Sequence, residues 1–493
     1  GVAAQLLNRK IILSELSPAA TFIAYNYNNP VDPDEFEKEA KRILKEVEEE
    51  CGWMYETNHV STADDMRSGW QMTFNADAKN HGKINYTVWS DVFICPYCKN
   101  EFVFWDVAVD REAGKVREKY ECPHCNAELT KRDCKHVTVT FFDSAIQKEV
   151  IMAKQVPVLI NYSFGNKRFE KIPDKDDLAL LKKINEMEIP YWFPKNPMMN
   201  KGEKWGDTWR AGVHFGITHI HHFYTKRNLW VLSAIKSKCK TSKTLFWFTS
   251  GLTRLTKMYK YMPVLRDKKI ADRRTGTVSG TLYIPSMLDE NNVIKSLERR
   301  INNVQSLNYN LFYAALISTI STTKLNFFSN TIDYIFTDPP FGDNLMYSEL
   351  NFLWESWLKV YTNNKEEAII NKTQNKRLDD YTELMMQCFK EMYRVLKPNR
   401  WITVEFHNSK ASVWNGIQEA LTRAGFIIAQ VTVLDKQQGS FKQVTSPGAV
   451  KNDLIINAYK PKEQFSHRFL KNAGEGMEVD FVVQQLGHLP VRP

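Results

Sequence analysis

The sequence predicts an α/β protein: a mostly parallel sheet with helices on both faces, interrupted by a large β-rich insertion. Three observations predict it. Strand-length apolar runs alternate with helical stretches over residues 331–459. One such run, Thr331 to Thr337, leads into Asp338-Pro339-Pro340-Phe341, where paired prolines must end a strand. Two Cys-Pro-x-Cys pairs, Cys95/Cys98 and Cys122/Cys125, lie among short β-like runs between 86 and 142.

A chain of 493 residues has room for about three domains of ordinary size, or one large domain with insertions. Hydrophobic residues at 43% and charged residues at 25% fit a globular core and exclude collagen-like, disordered and coiled-coil classes. Nothing approaches the roughly 18 consecutive apolar residues of a membrane span, and Gly1-Val2-Ala3-Ala4-Gln5 has no leader pattern. No membrane association is expected. Eight cysteines, four of them at metal-binding spacing, suit a reducing compartment and therefore the cytoplasm. A start at Gly rather than Met is expected either from processing or from a fragment whose true beginning lies upstream.

The elements follow in order. Residues 10–16 form a short strand, and 33–50 a helix whose Phe36, Ala40, Ile43, Leu44 and Val47 recur at helical spacing. Residues 55–82 are polar and predict a loop. Two apolar runs flanking Gly165-Asn166 predict a hairpin between 156 and 169. Residues 285–320 predict helix. After the Asp338 motif come helices near 344–361 and 379–397, a strand at 401–406, a helix near 411–424, and strands at 426–433 and 453–459. Functionally the chain divides into a first core part at 1–54, an insertion at 55–300, a second core part at 301–460 and an extension at 461–493.

Charge is unevenly spread. Residues 226–300 hold 17 Lys and Arg against 5 Asp and Glu, a balance of +12, which leaves −3 for the rest of a chain whose net charge is +9. Such a block can neutralise phosphates. Its interleaved Trp230, Phe246, Trp247, Phe248, Tyr259 and Tyr261 either stack on exposed bases or form core. His219, His221 and His222 are expected to line the junction between insertion and core rather than bind metal.

In each cysteine pair two intervening residues let a tight knuckle point both sulfurs at one ion, and four thiolates suit tetrahedral zinc. Cys95, Cys98, Cys122 and Cys125 therefore predict a zinc ribbon, with two strands joined around Ala113-Gly114 between the knuckles. With all four positions filled by thiolate, the zinc is structural. Cys134, His124 and His136 are close enough in sequence to substitute as ligands, and iron is the alternative ion.

An acid at the carboxyl end of a parallel strand lies where ligands bind in open α/β sheets. The prolines stiffen the turn and remove donors, so Asp338 and the Pro339 carbonyl can both accept hydrogen bonds from an exocyclic amine. Phe341 offers a ring on which a planar base can stack. An amine held this way directs its lone pair at an electrophile.

On these residues the chain resembles the amino-methyltransferases that use S-adenosylmethionine, whose signature is Asp-Pro-Pro followed by an aromatic residue. More closely it resembles the zinc-ribbon-containing adenine-specific DNA methylases, through residues 337–344 (TDPPFGDN), 347–354 (YSELNFLW) and the two knuckles. The resemblance implies a Rossmann-like class I methyltransferase fold with a large insertion, DNA as partner, and Asp338, Pro339, Pro340 and Phe341 as the catalytic set. It also implies the cofactor side. Residues 1–20 are similar to the helix, second strand and terminal acid that bind S-adenosylmethionine, which assigns Glu15 to the ribose hydroxyls, Leu16 to the adenine and Gly1 to the end of a glycine-rich loop. That loop and the first strand do not precede Gly1, so a truncated product, or a second polypeptide that supplies the piece, is expected. Phe341 in place of Tyr keeps the stacking face and loses a hydroxyl.

Adenine N6 and cytosine N4 both fit the acceptor geometry, and adenine rests on the resemblance. Methylation of RNA and a non-catalytic nucleic-acid-binding protein are the alternatives. Residues 396–406 resemble the helix, turn and strand after the catalytic strand of methyltransferases, and the polar loop Gln437–Gln443 with Ser446-Pro447-Gly448 is expected to be either a wall of the base pocket or an ordinary connecting loop. No Walker A loop, Gly-x-Ser-x-Gly elbow or His-Glu-x-x-His helix occurs.

Overall fold

The computed structural model describes residues 1–59, 81–198, 216–263, 265–266, 269–270, 276–278, 280–307, 315–343, 345–372, 374–408, 410–434 and 453–462. Most of the polar loop expected at 55–82, the Gln437–Gln443 and Ser446–Gly448 loop, and most of the extension at 461–493 lie outside these residues. The chain packs as two compact units. The first comprises Gly1–Ile11, Phe22–Ala315 and Phe352–Val360, and the second Ile12–Thr21, Leu316–Asn351 and Tyr361–Pro493. Compactness thus groups residues 22–54 with the insertion.

In the first unit the long strand His81–Ile94 organises an antiparallel sheet of order Lys167–Lys171, Gln155–Phe164, His81–Ile94, Met287–Asn291. The expected hairpin forms at Gly165, whose φ of +55° is the left-handed conformation that glycine adopts without strain. Helix Pro33–Cys51 begins as its sequence dictates: Asp32 caps the backbone N–H groups of Asp34 and Glu35, Pro33 sits in the first turn, and Phe36, Ala40, Ile43, Leu44 and Val47 are buried. Against it pack helices Lys226–Lys238 and Ser242–Gly251.

The interleaved aromatics of the basic segment are core. Trp230, Phe246, Trp247, Phe248, Tyr259 and Tyr261 are all buried, and Trp247 Nε1 donates to the Leu297 carbonyl at 2.9 Å. Some of the charge is inward too. Arg227 is buried, donating to both oxygens of the Glu290 carboxylate and, at 2.9 Å, to Thr87 Oγ1. Lys243 Nζ donates to the carbonyls of Asn26 and Asn29 at 2.6 and 2.9 Å. Among the described residues of the block, Lys240, Arg254 and Arg299 remain exposed.

The second unit holds a four-stranded sheet of order Ile332–Thr337, Leu396–Phe406, Asp453–Tyr459, Ile427–Leu434. Its first pair is parallel and the other two pairs are antiparallel, so Ile332–Thr337, Leu396–Phe406 and Ile427–Leu434 run in one direction and Asp453–Tyr459 alone is reversed between the last two. Ile12–Glu15 pairs in parallel with Leu316–Thr319. Helices Leu378–Val395 and Ala411–Arg423 bury Tyr381, Met385, Phe389, Trp414, Ile417 and Leu421 in a core with Ile402, Val404 and Phe406 of the sheet.

The helical expectation for 285–320 holds only over its middle, and strands stand at its two ends. The chain forms strand Met287–Asn291, short helices Val293–Glu298 and Ile301–Gln305, and strand Leu316–Thr319. Pairing to His81–Ile94 overrides the local preference at Met287–Asn291, and Asn292, whose side chain accepts from Lys295 N at 3.1 Å, restarts the helix only after it.

Candidate functional site

Strand Ile332–Thr337 lies in register with Leu396–Phe406, Thr337 opposite Val404. Immediately beyond it Asp338 is exposed, Pro339 buried, and Pro340 and Phe341 half-buried. Side chains from distant elements grip the turn. Tyr381 Oη donates to the Pro340 carbonyl at 2.8 Å, and Asn408 Nδ2 to the Phe341 carbonyl at 2.8 Å. Gly342 has φ +67°, and its carbonyl accepts from Ile370 N at 3.1 Å. A side chain there is strained and would press Asn408. With the next two carbonyls occupied, the Pro339 carbonyl has no hydrogen-bond partner among the described residues. The Phe341 ring packs edge-on to Phe406 and His407, with centroids at 5.7 and 6.0 Å.

Two further groups gather at Asp338. The Tyr347 hydroxyl is pushed up to about 12 by burial and by the Asp338 charge, against a hydrogen bond with the Phe341 backbone. Glu15 ends its strand opposite Thr319, and its carboxyl is raised above the ordinary range by lost solvation and then by the charge of Asp338. Strand ends more than 300 residues apart thus share one electrostatic neighbourhood. Leu16 follows, half-buried, and Ser17 Oγ accepts from Asn351 Nδ2 at 3.2 Å, tying this turn to the segment after the Asp338 motif. Gly1 lies in the other unit, where it precedes the short helix Val2–Leu6 and abuts Asn28.

Tyr381 and Asn408 carried no motif. Tyr381 occupies a core position of an amphipathic helix, indistinguishable by spacing from its apolar neighbours, and Asn408 stands alone after a strand. Tyr347 was visible only as part of the 347–354 segment. Asn344 lies outside the described residues.

In the first unit the two cysteine pairs fold into matching knuckles. Cys95 N–H donates to the Asn100 carbonyl at 3.0 Å and Lys99 N–H to the Cys95 carbonyl at 3.1 Å. Cys122, Ala127 and Asn126 repeat the pattern at 2.9 and 3.0 Å. Lys99 and Asn126, each four residues after the first cysteine of its pair, take the same left-handed turn at φ 63° and 59°. Burial opposes ionisation of Cys95, but backbone N–H groups of Cys98 and Tyr97 outweigh it and lower the thiol to about 6.

The knuckles meet so that Cys95 Sγ lies 3.8 Å from Cys125 Sγ and Cys98 Sγ 3.7 Å from Cys122 Sγ. A tetrahedral ion with Zn–S bonds of about 2.3 Å has sulfur–sulfur edges of about 3.8 Å, so the donor set fits zinc. The alternative ligands have other partners: His124 meets the Glu101 carbonyl, His136 the Asp91 carboxylate, and Cys134 the Thr130 carbonyl and Tyr120 hydroxyl. Between the knuckles, short strands flank a turn at Gly114 (φ +59°), preceded by a helical turn, Phe104–Ala108, that the alternation did not predict.

Comparison with known proteins bears on the second unit. Residues 332–482 match a family model described as DNA methylase, for N6 and N4 methyltransferases. That stretch carries the sequence pattern of a DNA methylase domain. No curated protein matches the chain. Among solved structures, a Thermus thermophilus protein described as a DNA modification methylase is 15% identical, at a TM-score of 0.18, over 28% of this chain and 48% of that one. The chain thus spans about half the length of that relative. A SAM-dependent methyltransferase from Methanosarcina mazei is 13% identical over 34% of this chain and 77% of that one, with a TM-score of 0.19. The N-methyltransferase NodS from Bradyrhizobium japonicum is 10% identical over 34% and 68%, with a TM-score of 0.17. Among the described residues no helix is long and apolar enough to cross a membrane.

Proposed function

We propose that the chain transfers a methyl group from S-adenosylmethionine to an exocyclic amine of a DNA base, adenine N6 by resemblance. The observation that carries the proposal is the arrangement at the strand end. Asp338 is exposed, the Pro339 carbonyl has no hydrogen-bond partner among the described residues and the next two carbonyls are held by side chains, all within a stretch that matches the DNA methylase model. When bound, the cofactor supplies an electrophilic methyl group.

The chain's own residues do the positioning. Asp338 and the Pro339 carbonyl accept the two N–H groups of a flipped base amine, which leaves its lone pair for in-line attack, and Phe341 supplies a ring face for the base. Methylation makes the nitrogen acidic, so Asp338 need only receive the departing proton and need not be a strong base. Glu15 accepts the ribose hydroxyls, with Leu16 beside the adenine. The four cysteines hold a structural zinc that stiffens the insertion, and exposed Lys240, Arg254 and Arg299 contact DNA phosphates.

The test is to incubate the chain with DNA and S-adenosylmethionine labelled on its methyl group, hydrolyse the DNA and identify the labelled base by mass spectrometry. N6-methyladenine is expected, and Asp338→Ala, an exposed position, should abolish it without unfolding the protein. N4-methylcytosine would reassign the base. Labelled base formed undiminished by the folded Asp338→Ala protein would overturn the role given to this carboxylate.

A further inference from the structure

The first unit contains a second group of metal-ligating side chains, distinct from the cysteines. Asp143, at the end of strand Thr138–Asp143, meets His221 and His222 of the turn Ile220–Phe223, and all three are buried. His221 Nε2 and His222 Nε2 both point at one oxygen, Asp143 Oδ2, at 2.7 and 2.9 Å. The three ligand atoms lie within 4.8 Å of one another. The expectation that these histidines merely line a junction is therefore incomplete, since they converge on a single buried carboxylate.

The surroundings are those of a held ligand set. Asp143 Oδ1 is fixed by the Ala145 N–H at 2.9 Å, which turns Oδ2 toward the imidazoles. The far nitrogen of His222 is steadied by Thr218, whose N–H and Oγ1 lie 3.2 and 3.4 Å away. Such outer contacts orient metal ligands. His221 Nδ1 is buried with no hydrogen-bond partner among the described residues, so internal hydrogen bonds do not fully satisfy the cluster. One side is open: Asp143, His221 and His222 line a cavity of about 590 Å³ with Trp89, Tyr224 and Lys257.

We propose that Asp143, His221 and His222 bind a divalent first-row transition ion, zinc being the reference case, through two imidazole nitrogens and one carboxylate oxygen. The ion takes the place of the N–H protons that now face Oδ2. At bond lengths of about 2.0–2.2 Å the ligand atoms stand about 3.3 Å apart, so the rings draw back from Oδ2 by about half an ångström. Three protein ligands leave at least one coordination position open, and the cavity gives it access to water. The cysteine cluster, with its four thiolates, has no such position.

The test counts and sorts the metals on the full chain. After saturation with Zn²⁺ and removal of free ion, metal analysis is expected to find two zinc ions per chain, of which a mercurial thiol reagent releases one. Asp143→Asn and His222→Gln are each expected to leave a single zinc, still releasable by the mercurial, whereas Cys95→Ser leaves the other. One zinc per chain, fully released by the thiol reagent and unchanged in Asp143→Asn, would overturn the proposal. Should the variants fail to fold, cobalt titration of the unaltered chain decides. A second equivalent that adds ligand-field bands without thiolate charge transfer supports the site, and thiolate charge transfer in all bound cobalt excludes it.

Discussion

The four-cysteine cluster and the Asp338 strand end gather their groups in opposite ways. Each knuckle draws both its sulfurs and its own backbone hydrogen bonds from a six-residue stretch, and the second knuckle repeats the first. The strand end takes one acid from 338, its grips from Tyr381 and Asn408, and its electrostatic neighbour from Glu15. A site that only has to hold an ion can be encoded locally and closed. A site that must present an acceptor and a carboxylate to a substrate has to be held from outside itself.

That contrast can be broken or sharpened. The largest effect is expected at the closed site: Cys95→Ser should lose the cysteine-bound zinc and with it much of the protection of residues 86–142, since binding and local folding are one equilibrium in such ribbons. Metal content and amide exchange of that segment measure it. Unchanged protection would mean that the aromatic core of Phe93, Phe102, Phe104 and Tyr120 suffices without the ion.

The next effect lies in the basic segment. Arg227→Met leaves the buried Glu290 carboxylate unpaired and should cost about 3–5 kcal/mol in denaturant unfolding. A loss near zero would mean that this arginine is not the structural cation its burial makes it.

At the open site a smaller stability change is expected. Tyr381→Phe removes the hydrogen bond to the Pro340 carbonyl at a cost of about 0.5–1.5 kcal/mol, but frees the turn and should slow methyl transfer by about tenfold to 10²-fold. Single-turnover rates beside unfolding curves separate the two. Equal rates would show that the prolines alone hold the turn.

These cases also show what the sequence makes legible. The strand that leads into Asp338, the Gly165 hairpin and the final strands are local signals, and each forms where it was expected, while the cysteine spacing brings its four sulfurs together. What escaped depends on partners distant in sequence. Met287–Asn291 is a strand because His81–Ile94 pairs with it, and the aromatics around Trp247 are core because three helices pack there. The Tyr381 and Asn408 grips are ordinary helix and loop positions until the fold brings them to the turn. Charge misled for the same reason, since counting Lys and Arg cannot show that Arg227 and Lys243 point inward.

The smallest effect is a dependence on pH. Glu15 holds its proton to higher pH in the folded chain than in the unfolded one, because of lost solvation and the Asp338 charge. Its contribution to stability is therefore full below the ordinary glutamate range and is lost as pH rises through the raised folded value. The stability of the unaltered chain relative to Glu15→Gln should fall across that interval in urea unfolding. A flat difference would separate Glu15 from Asp338.

The most direct test of the central claim, that Glu15 and Asp338 belong to one S-adenosylmethionine-dependent site, is calorimetric titration of the full chain and its Glu15→Gln variant with S-adenosylmethionine. Binding by the unaltered chain, weakened about tenfold or more in the variant, is the result expected, tenfold being about 1.4 kcal/mol. Equal affinity in the two proteins, or no binding to the unaltered chain, would contradict it.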